Sequence, residues 1–247
     1  MTQNAYVLVV DGGNTYWGAT PSSSTVRSAG LVVGEAMNLM GYQAMSLGAI
    51  DLQLGEEALR QLMEKALFPV LSANVVVQRT GELLALPYTW IEIGNRQLGV
   101  IGVTRGPDAQ SDAGAQAGGL AISDPLAAVA AAAEELLART DLILVLDDLD
   151  REANLRLAEL VPSIDVILSC GGQEVINERL QSPTTGAVIW QLGLSAREFP
   201  GWMVSHLRLH FDSAGIVLDQ GSDMTRLDVG YLDEPAVQQL IAGYDAE

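Results

Sequence analysis

The chain has 247 residues, of which 49% are hydrophobic; this supports a sizeable core and excludes a disordered chain. It carries 31 acidic against 13 basic residues, and a net charge of −18 disfavours nucleic acid and anionic lipid surfaces as partners. Its single cysteine, Cys170, excludes an internal disulfide. With no basic leader and no apolar run approaching ~18 residues, we expect a cytoplasmic protein without a membrane span.

The first half of the chain alternates short β-rich runs with helical patterns. Gly41 suits the end of the first helix, and Asp51 is placed to cap the start of the second. A Gly94-Asn95 turn separates two strands. The predicted elements are a strand at 5–10, a helix at 24–41, a short strand at 42–48, a helix at 51–67, a strand at 70–77 and two strands within 89–104.

The second half continues this alternation after a flexible loop at 107–120. Asp124 before Pro125 is the preferred start of an Ala-rich helix. The remaining predicted elements are a helix at 123–139, a strand at 140–148, a helix at 151–161, strands at 164–170, 186–193 and 202–212, and a final helix at 234–244. All-apolar strands followed by antiparallel ones indicate a layered α/β domain with a mixed sheet.

The order of these motifs resembles the catalytic domain of 5′-nucleotidase-type metallophosphoesterases, which have the calcineurin-like fold. The segments that carry the resemblance are VLVVDGGNTYWG, EAMNLMGYQAMSLGAIDLQLG, FPVLSANV, LGVIGVT, DLILVLDDLD, LAELVPSIDVILSCGGQ and AVIWQLG. The resemblance implies a four-layer α/β/β/α sandwich with mixed sheets. We expect one domain, residues 1–247, that lacks the family's first strand and its C-terminal substrate-binding domain.

The positions that resemble the family's metal site hold other residues here. The family's Gly-Asp is Gly13-Asn14, and its Ser-His is Asp147-Asp148. Ile50 stands where the family has the histidine that protonates the leaving oxygen. No ligand is preserved in kind, so we expect a degenerate site with no catalytic residue. Its positions are Asn14, Ala49, Ile50, Asp51, Asp148, Gly171 and Gln173.

Two functional hypotheses follow from these substitutions. The first is a catalytically inactive phosphoesterase-like protein without a cofactor, which binds a protein partner or forms a homo-oligomer. The alternative is a metal-dependent phosphomonoesterase, similar to 5′-nucleotidases, whose site is rebuilt from oxygen ligands. Such ligands suit Mg²⁺ or Ca²⁺. The candidate ligands are Asn14, Asp148 and Gln173, with Asp51, Asp147 and Asp150 nearby; against this, residues 147–150 are typical of a helix cap that faces solvent.

Three weaker motifs have simpler explanations. His206 and His210 are four residues apart on a predicted strand and so share one face; a metal clamp is one interpretation, and a partly exposed polar face is the favoured one. Cys170 is predicted to be an inert buried thiol, because no histidine is close to it in sequence. The Gly12-Gly13 turn lacks the Lys-Ser/Thr of a phosphate-binding P-loop.

Overall fold

A computed structural model describes residues 6–16, 22–106, 118–171, 176–193, 203–211, 217–228 and 230–246. Its strands are Val10–Asp11 (β1), Ala44–Ser46 (β2), Val70–Leu71 (β3), Val75–Val77 (β4), Tyr88–Ile93 (β5), Arg96–Val103 (β6), Leu120–Ile122 (β7), Leu142–Asp147 (β8), Val166–Ser169 (β9), Ile176–Gln181 (β10), Val188–Gly193 (β11), Met203–Phe211 (β12) and Val217–Arg226 (β13). Its helices are Ser23–Arg27 (α1), Leu31–Met40 (α2), Gly55–Lys65 (α3), Pro125–Leu136 (α4), Arg151–Leu160 (α5) and Pro235–Ala246 (α6), and a 3₁₀ turn spans Asp51–Leu54. None of these helices is long and apolar enough to cross a membrane.

The strands form two main sheets. The larger has the order β10-β11-β9-β8-β6-β5, with parallel pairs from β6 to β11 and antiparallel strands at both edges. The smaller has the parallel order β1-β2-β3. Two antiparallel pairs, β4-β7 and β12-β13, complete the sheets. The mixed sheet predicted from the strand pattern is therefore confirmed.

Side-chain alternation along β8 shows how the layers are built. Leu144 faces the small sheet and packs in a cluster with Ala44 and Leu71, whereas Val145 faces α4 and packs with Val129. Because successive side chains of a strand point to opposite faces, β8 is covered on both sides. All six of its residues are buried.

A third cluster lies on the outer face of the small sheet, where Met45 packs with Met37 of α2 and Leu59 of α3. Three apolar interfaces therefore separate four layers: α2 and α3, the small sheet, the large sheet, and α4 with α5. This is the α/β/β/α sandwich that the resemblance implies.

The structure departs from the sequence predictions at two helices. The predicted helix at 24–41 is broken into α1 and α2, because Ala29 and Gly30 have φ values of 48° and 85°. Asp51 does not cap α3, since a 3₁₀ turn intervenes and its carboxylate is buried against other loops. Gly41 ends α2 with a φ of 74°, and Asp124 caps α4 through the N–H of Ala127, both as predicted.

Leu146 tests the interface between the two sheets, where it is fully buried. We expect Leu146→Ala to lower the free energy of unfolding by about 2–5 kcal/mol, because truncation removes apolar contacts and leaves a cavity. Leu160→Ala is the matched control: Leu160 is 59% exposed, so its truncation should change stability by no more than about 0.5 kcal/mol. Urea denaturation measures both. Equal losses in the two variants would contradict the four-layer packing.

Candidate functional site

The loops that follow β1, β2, β8 and β9 meet at one edge of the two sheets. Glycines allow this approach: a Cβ at Gly48 would lie 2.3 Å from the Asn14 backbone nitrogen, and one at Gly171 would lie 2.1 Å from the Asp148 carbonyl oxygen. At Gly12 it would lie 2.6 Å from the Cys170 sulfur. The edge where the resemblance places the metal site is therefore a closely packed junction of loops.

Asn14 joins two of these loops. Its side-chain oxygen accepts the N–H of Ile50 at 2.9 Å, and its amide nitrogen donates to Asp148 at 3.2 Å. Its backbone N–H donates to Asp51 at 2.8 Å. The φ of 65° is one that Asn tolerates better than most residues, so both the backbone and the side chain suit this position.

Asp148 is the central acceptor of the junction and is fully buried. Its Oδ2 accepts the N–H of Ala49 at 2.8 Å and the Asn14 amide, while its Oδ1 accepts the N–H of Arg105 at 2.5 Å. Burial raises the pKa of Asp148, and these N–H groups together with the positive charge of Arg105 oppose that rise. The carboxylate is thus held by residues from three loops.

Asp51 plays a similar part on the loop after β2. Its Oδ2 accepts the N–H of Gly48 at 3.0 Å as well as that of Asn14. The side chain is fully buried. Asp51 therefore fixes the turn at Gly48 against the loop that carries Asn14.

Asp147 points to the other face of the large sheet, towards α5. Its Oδ1 accepts the N–H of Leu149 at 2.8 Å and the amide of Asn154 at 3.3 Å. Asn154 also donates to Gln191 at 3.0 Å, and all three side chains are buried. Within the described residues, Oδ2 of Asp147 has no hydrogen-bond partner. Burial raises the pKa of Asp147 to about 7, so it stays partly protonated near neutral pH.

Asp11 and Cys170 lie at the base of the junction. Oδ1 of Asp11 accepts the N–H of Gly13 at 2.8 Å and the hydroxyl of Thr15 at 2.9 Å. Burial raises the pKa of Asp11 to about 6 despite these bonds. Burial also raises the pKa of Cys170, and the charge of Asp11 adds to that effect. The thiol stays protonated, which agrees with the predicted inert cysteine.

The structure brings most of the predicted site positions together. Hydrogen bonds join Asn14 to both Asp51 and Asp148. The backbone N–H of Ala49 donates to Asp148, and that of Ile50 donates to Asn14. Gly171 lies against the Asp148 backbone, whereas Gln173 lies outside the described residues.

The expectation that residues 147–150 face solvent is wrong for the first three, since Leu149 is buried as well. Asp147 and Asp148 are fully buried, because β8 ends between two covered layers. Asp150 does cap α5, through the N–H of Ala153 at 2.8 Å. His206 and His210 share the exposed face of β12, and His206 lies 3.6 Å from Asp223. They lie on the β12-β13 hairpin, which is a separate sheet from the two whose strand ends form the loop junction.

Sequence reasoning missed three participants: Arg105, Asn154 and Gln191. Arg105 comes directly after the strand predicted to end at residue 104. Because that strand, β6, pairs in parallel with β8, its position places Arg105 near the end of β8. Asn154 and Gln191 are polar residues within a helix and an apolar strand. A buried amide in such a pattern indicates a hydrogen-bonded network.

Comparisons with known proteins relate the chain to 5′-nucleotidases in sequence. No family model matches the chain. It is 38% identical to the 5′-nucleotidase of Rattus norvegicus over 105 residues, which are 40% of this chain and 17% of the rat protein. It is 26% identical to the snake venom 5′-nucleotidase of Naja atra over 258 aligned residues, 96% of this chain and 47% of that protein. The chain thus spans about half the length of the cobra relative.

Three solved structures share the fold over 97% of the chain. They are the sulfate thiohydrolase SoxB of Thermus thermophilus (TM-score 0.80, 21% identity, 42% of that chain), a 5′-nucleotidase precursor of the same species (0.77, 23%, 49%) and the calcineurin-like phosphoesterase YfkN of Bacillus subtilis (0.74, 18%, 83%). The fold is therefore that of calcineurin-like phosphoesterases. Together with the sequence relatives, it supports the resemblance of the chain to the 5′-nucleotidase-type metallophosphoesterase domain.

Two predictions are corrected by these comparisons. The prediction that the chain is not an enzyme is wrong, because the relatives and structural neighbours are named as nucleotidases and phosphoesterases. The prediction that it has no cofactor is wrong as well, because phosphoesterases of this class use divalent metal ions. The absence of histidines from the site positions does not by itself establish inactivity.

The side chains at the loop junction determine which kind of metal centre could form there. In the described part of the chain, no three His, Cys, Asp or Glu side chains are grouped to hold an ion, so a histidine-rich two-ion centre does not fit. The oxygens of Asp148 and Asn14, which accept backbone N–H groups in this structure, are of the chemical kind that a hard cation prefers. Mg²⁺ in particular keeps several waters and needs only one or two protein carboxylates.

Asn14 tests the stability of the loop junction. We expect Asn14→Ala to lower the free energy of unfolding by about 2–3 kcal/mol, because it leaves the Ile50 N–H unpaired, removes a donor to Asp148 and places Ala at a positive φ. Asn14→Gly loses the same bonds but tolerates the φ, so its loss should be about 1 kcal/mol smaller. Chemical denaturation measures both. Wild-type stability in both variants would show that the bridge does not hold the loops.

Asp147 makes stability depend on pH. Its folded pKa, about 7, exceeds its ordinary value of 3.8, so the native state binds the extra proton and stability falls as pH rises from 4 to 8. We expect Asp147→Asn, which keeps the Oδ1 acceptor, to melt several degrees above wild type at pH 8 and close to it at pH 4. Thermal melts in EDTA at both pH values test this. An equal difference at the two pH values would rule out this ionisation as the cause.

Proposed function

We propose that the chain is a phosphomonoesterase domain of 5′-nucleotidase type that uses a divalent cation held by oxygen ligands at the loop junction. Asp148 and Asn14 are the ligands we assign to that cation. The relatives named as 5′-nucleotidases support phosphate monoesters as the substrate class. Because the chain spans only part of those relatives, nucleoside recognition is itself part of the proposal.

The observation that carries this proposal is the position of Asp148. The carboxylate lies at the end of a central parallel strand, the edge at which open α/β sheets bind ligands. Hydrogen bonds from three loops orient it before any ligand arrives. A preoriented carboxylate loses little conformational entropy on binding a cation, and a bound divalent cation stabilises charge on phosphoryl oxygens.

Ile50 sets the kind of ester that such a site can cleave. The resemblance places the proton donor for the leaving group at this position, and isoleucine has no proton to give. General acid catalysis is worth about 10²–10⁴ in rate when the leaving group is a poor one. An ester whose leaving group departs without protonation avoids that loss, so activated esters are the favoured substrates.

Phosphatase assays with added Mg²⁺, Mn²⁺ or Ca²⁺ test this proposal, using p-nitrophenyl phosphate and AMP as substrates. We expect kcat/KM for p-nitrophenyl phosphate to exceed that for AMP by about 10² or more, because p-nitrophenolate leaves without a general acid. Asp148→Asn should abolish hydrolysis and remove the cation-dependent rise in Tm, because it replaces the negatively charged carboxylate ligand by a neutral amide. Elemental analysis after desalting gives the ion stoichiometry.

Asp150→Asn is the matched control for Asp148→Asn. It lies two residues away, its side chain caps α5, and Asn retains that capping ability. It should keep both hydrolysis and the cation response. Absence of hydrolysis by the wild-type chain under all three cations would overturn the proposal, as would full activity in Asp148→Asn.

A further inference from the structure

Arg105 is held rigidly at the loop junction by its neighbours. Its backbone N–H donates to Oδ1 of Asp148 at 2.5 Å. The preceding residue, Thr104, is fully buried. Its backbone N–H donates to the side-chain oxygen of Asn74 at 2.9 Å, and its carbonyl accepts from the side-chain nitrogen of Asn74 at 2.7 Å. Its hydroxyl donates to the Leu47 carbonyl at 2.7 Å. The point at which the Arg105 side chain leaves the backbone is therefore fixed.

The charge around this point is strongly negative. Asp51 and Asp148 lie on the loops of the junction, Asp11 and Asp147 are the last residues of β1 and β8, and the chain as a whole carries −18. The positive charge of Arg105 acts on Asp148 and opposes the rise of its pKa. A phosphate dianion approaching these acids is repelled unless positive charge meets it there.

Arg105 has the chemistry to meet that need. It is partly exposed, whereas Asp148, which accepts its backbone N–H, is fully buried. A guanidinium is always charged and presents a planar fork of donors that matches two phosphate oxygens. Lysine offers charge without the fork, which makes the two distinguishable by experiment.

From this placement we infer that Arg105 is the phosphate-recognising residue of the site and binds the phosphate group of a phosphomonoester above Asp148. The inference rests on the proposed function, since it assumes that the junction is where the ester binds. It adds a substrate contact from outside the positions that the family resemblance marks.

Binding of inorganic phosphate, with and without Mg²⁺, tests this inference by titration calorimetry, because it needs no turnover. We expect Arg105→Gln to weaken phosphate binding about tenfold or more, and Arg105→Lys to restore part of the affinity. Both variants keep the backbone N–H to Asp148, and melting curves verify their folding. Arg139→Gln is the matched control: Arg139 lies 4.4 Å over the Trp90 ring, on another surface, and its loss should leave phosphate affinity unchanged.

The outcomes separate this inference from the proposed function. Phosphate binding that depends on Arg105 in a chain that hydrolyses no ester would support the inference and refute the hydrolase. Ester hydrolysis with the same KM in wild type and Arg105→Gln would refute the inference and leave the hydrolase standing. Wild-type affinity in Arg105→Gln, or no phosphate binding by the wild-type chain, overturns the inference.

Discussion

The loop junction depends on the hydrogen bonds that the buried carboxylate of Asp148 accepts. A charge removed from water is stable only if several donors replace its hydration, and here the N–H groups of Ala49 and Arg105 and the Asn14 amide do so. Each donor comes from a different loop. The requirement to satisfy one carboxylate therefore dictates how three loops lie, and the glycines at 12, 48 and 171 allow the close approach that this requires.

The four-layer packing explains why that carboxylate is buried at all. β8 is the central strand of the large sheet, paired in parallel with β6 and β9 and covered on both faces. A residue just after such a strand emerges between covered layers, without direct contact with bulk water. The hydrophobic core thus determines the dielectric environment of the site, and burial raises the pKa of each acid at this edge for which a shift is resolved.

Much of the fold could be predicted from the sequence because apolar periodicity reports burial directly, as in the all-apolar run of β8. The break at Ala29 and Gly30 could not, since the helical pattern continues through it and tertiary packing decides it. Asn14, Ala49, Ile50 and Asp148 were located through the order of motifs, and the structure does bring them together. Arg105 was not, because its relation to Asp148 depends on which strands pair.

The prediction that the chain is not an enzyme is wrong for a different reason. Missing histidines show that one ligand set is absent, but they do not say what the remaining oxygens bind. Acids 147 and 148 looked like a solvent-facing helix cap, a role that only Asp150 fills. A sequence pattern gives residue types along one chain, whereas a cation or phosphate site is defined by groups that converge from several strands.

The alternation of side chains at the end of β8 has an evolutionary consequence. Asp147 contacts Asn154 on α5, and Asp148 contacts Asn14 on a distant loop, although the two acids are neighbours in the chain. Substitutions of Asp147 are constrained by its hydrogen bond with the side chain of Asn154. Substitutions of Asp148 are constrained by the ligand that the loops of the junction bind. Two adjacent residues are thus constrained by different contacts. A lineage that changes its ligand could replace residue 148 while keeping residue 147, and with it the attachment of the helix to the sheet.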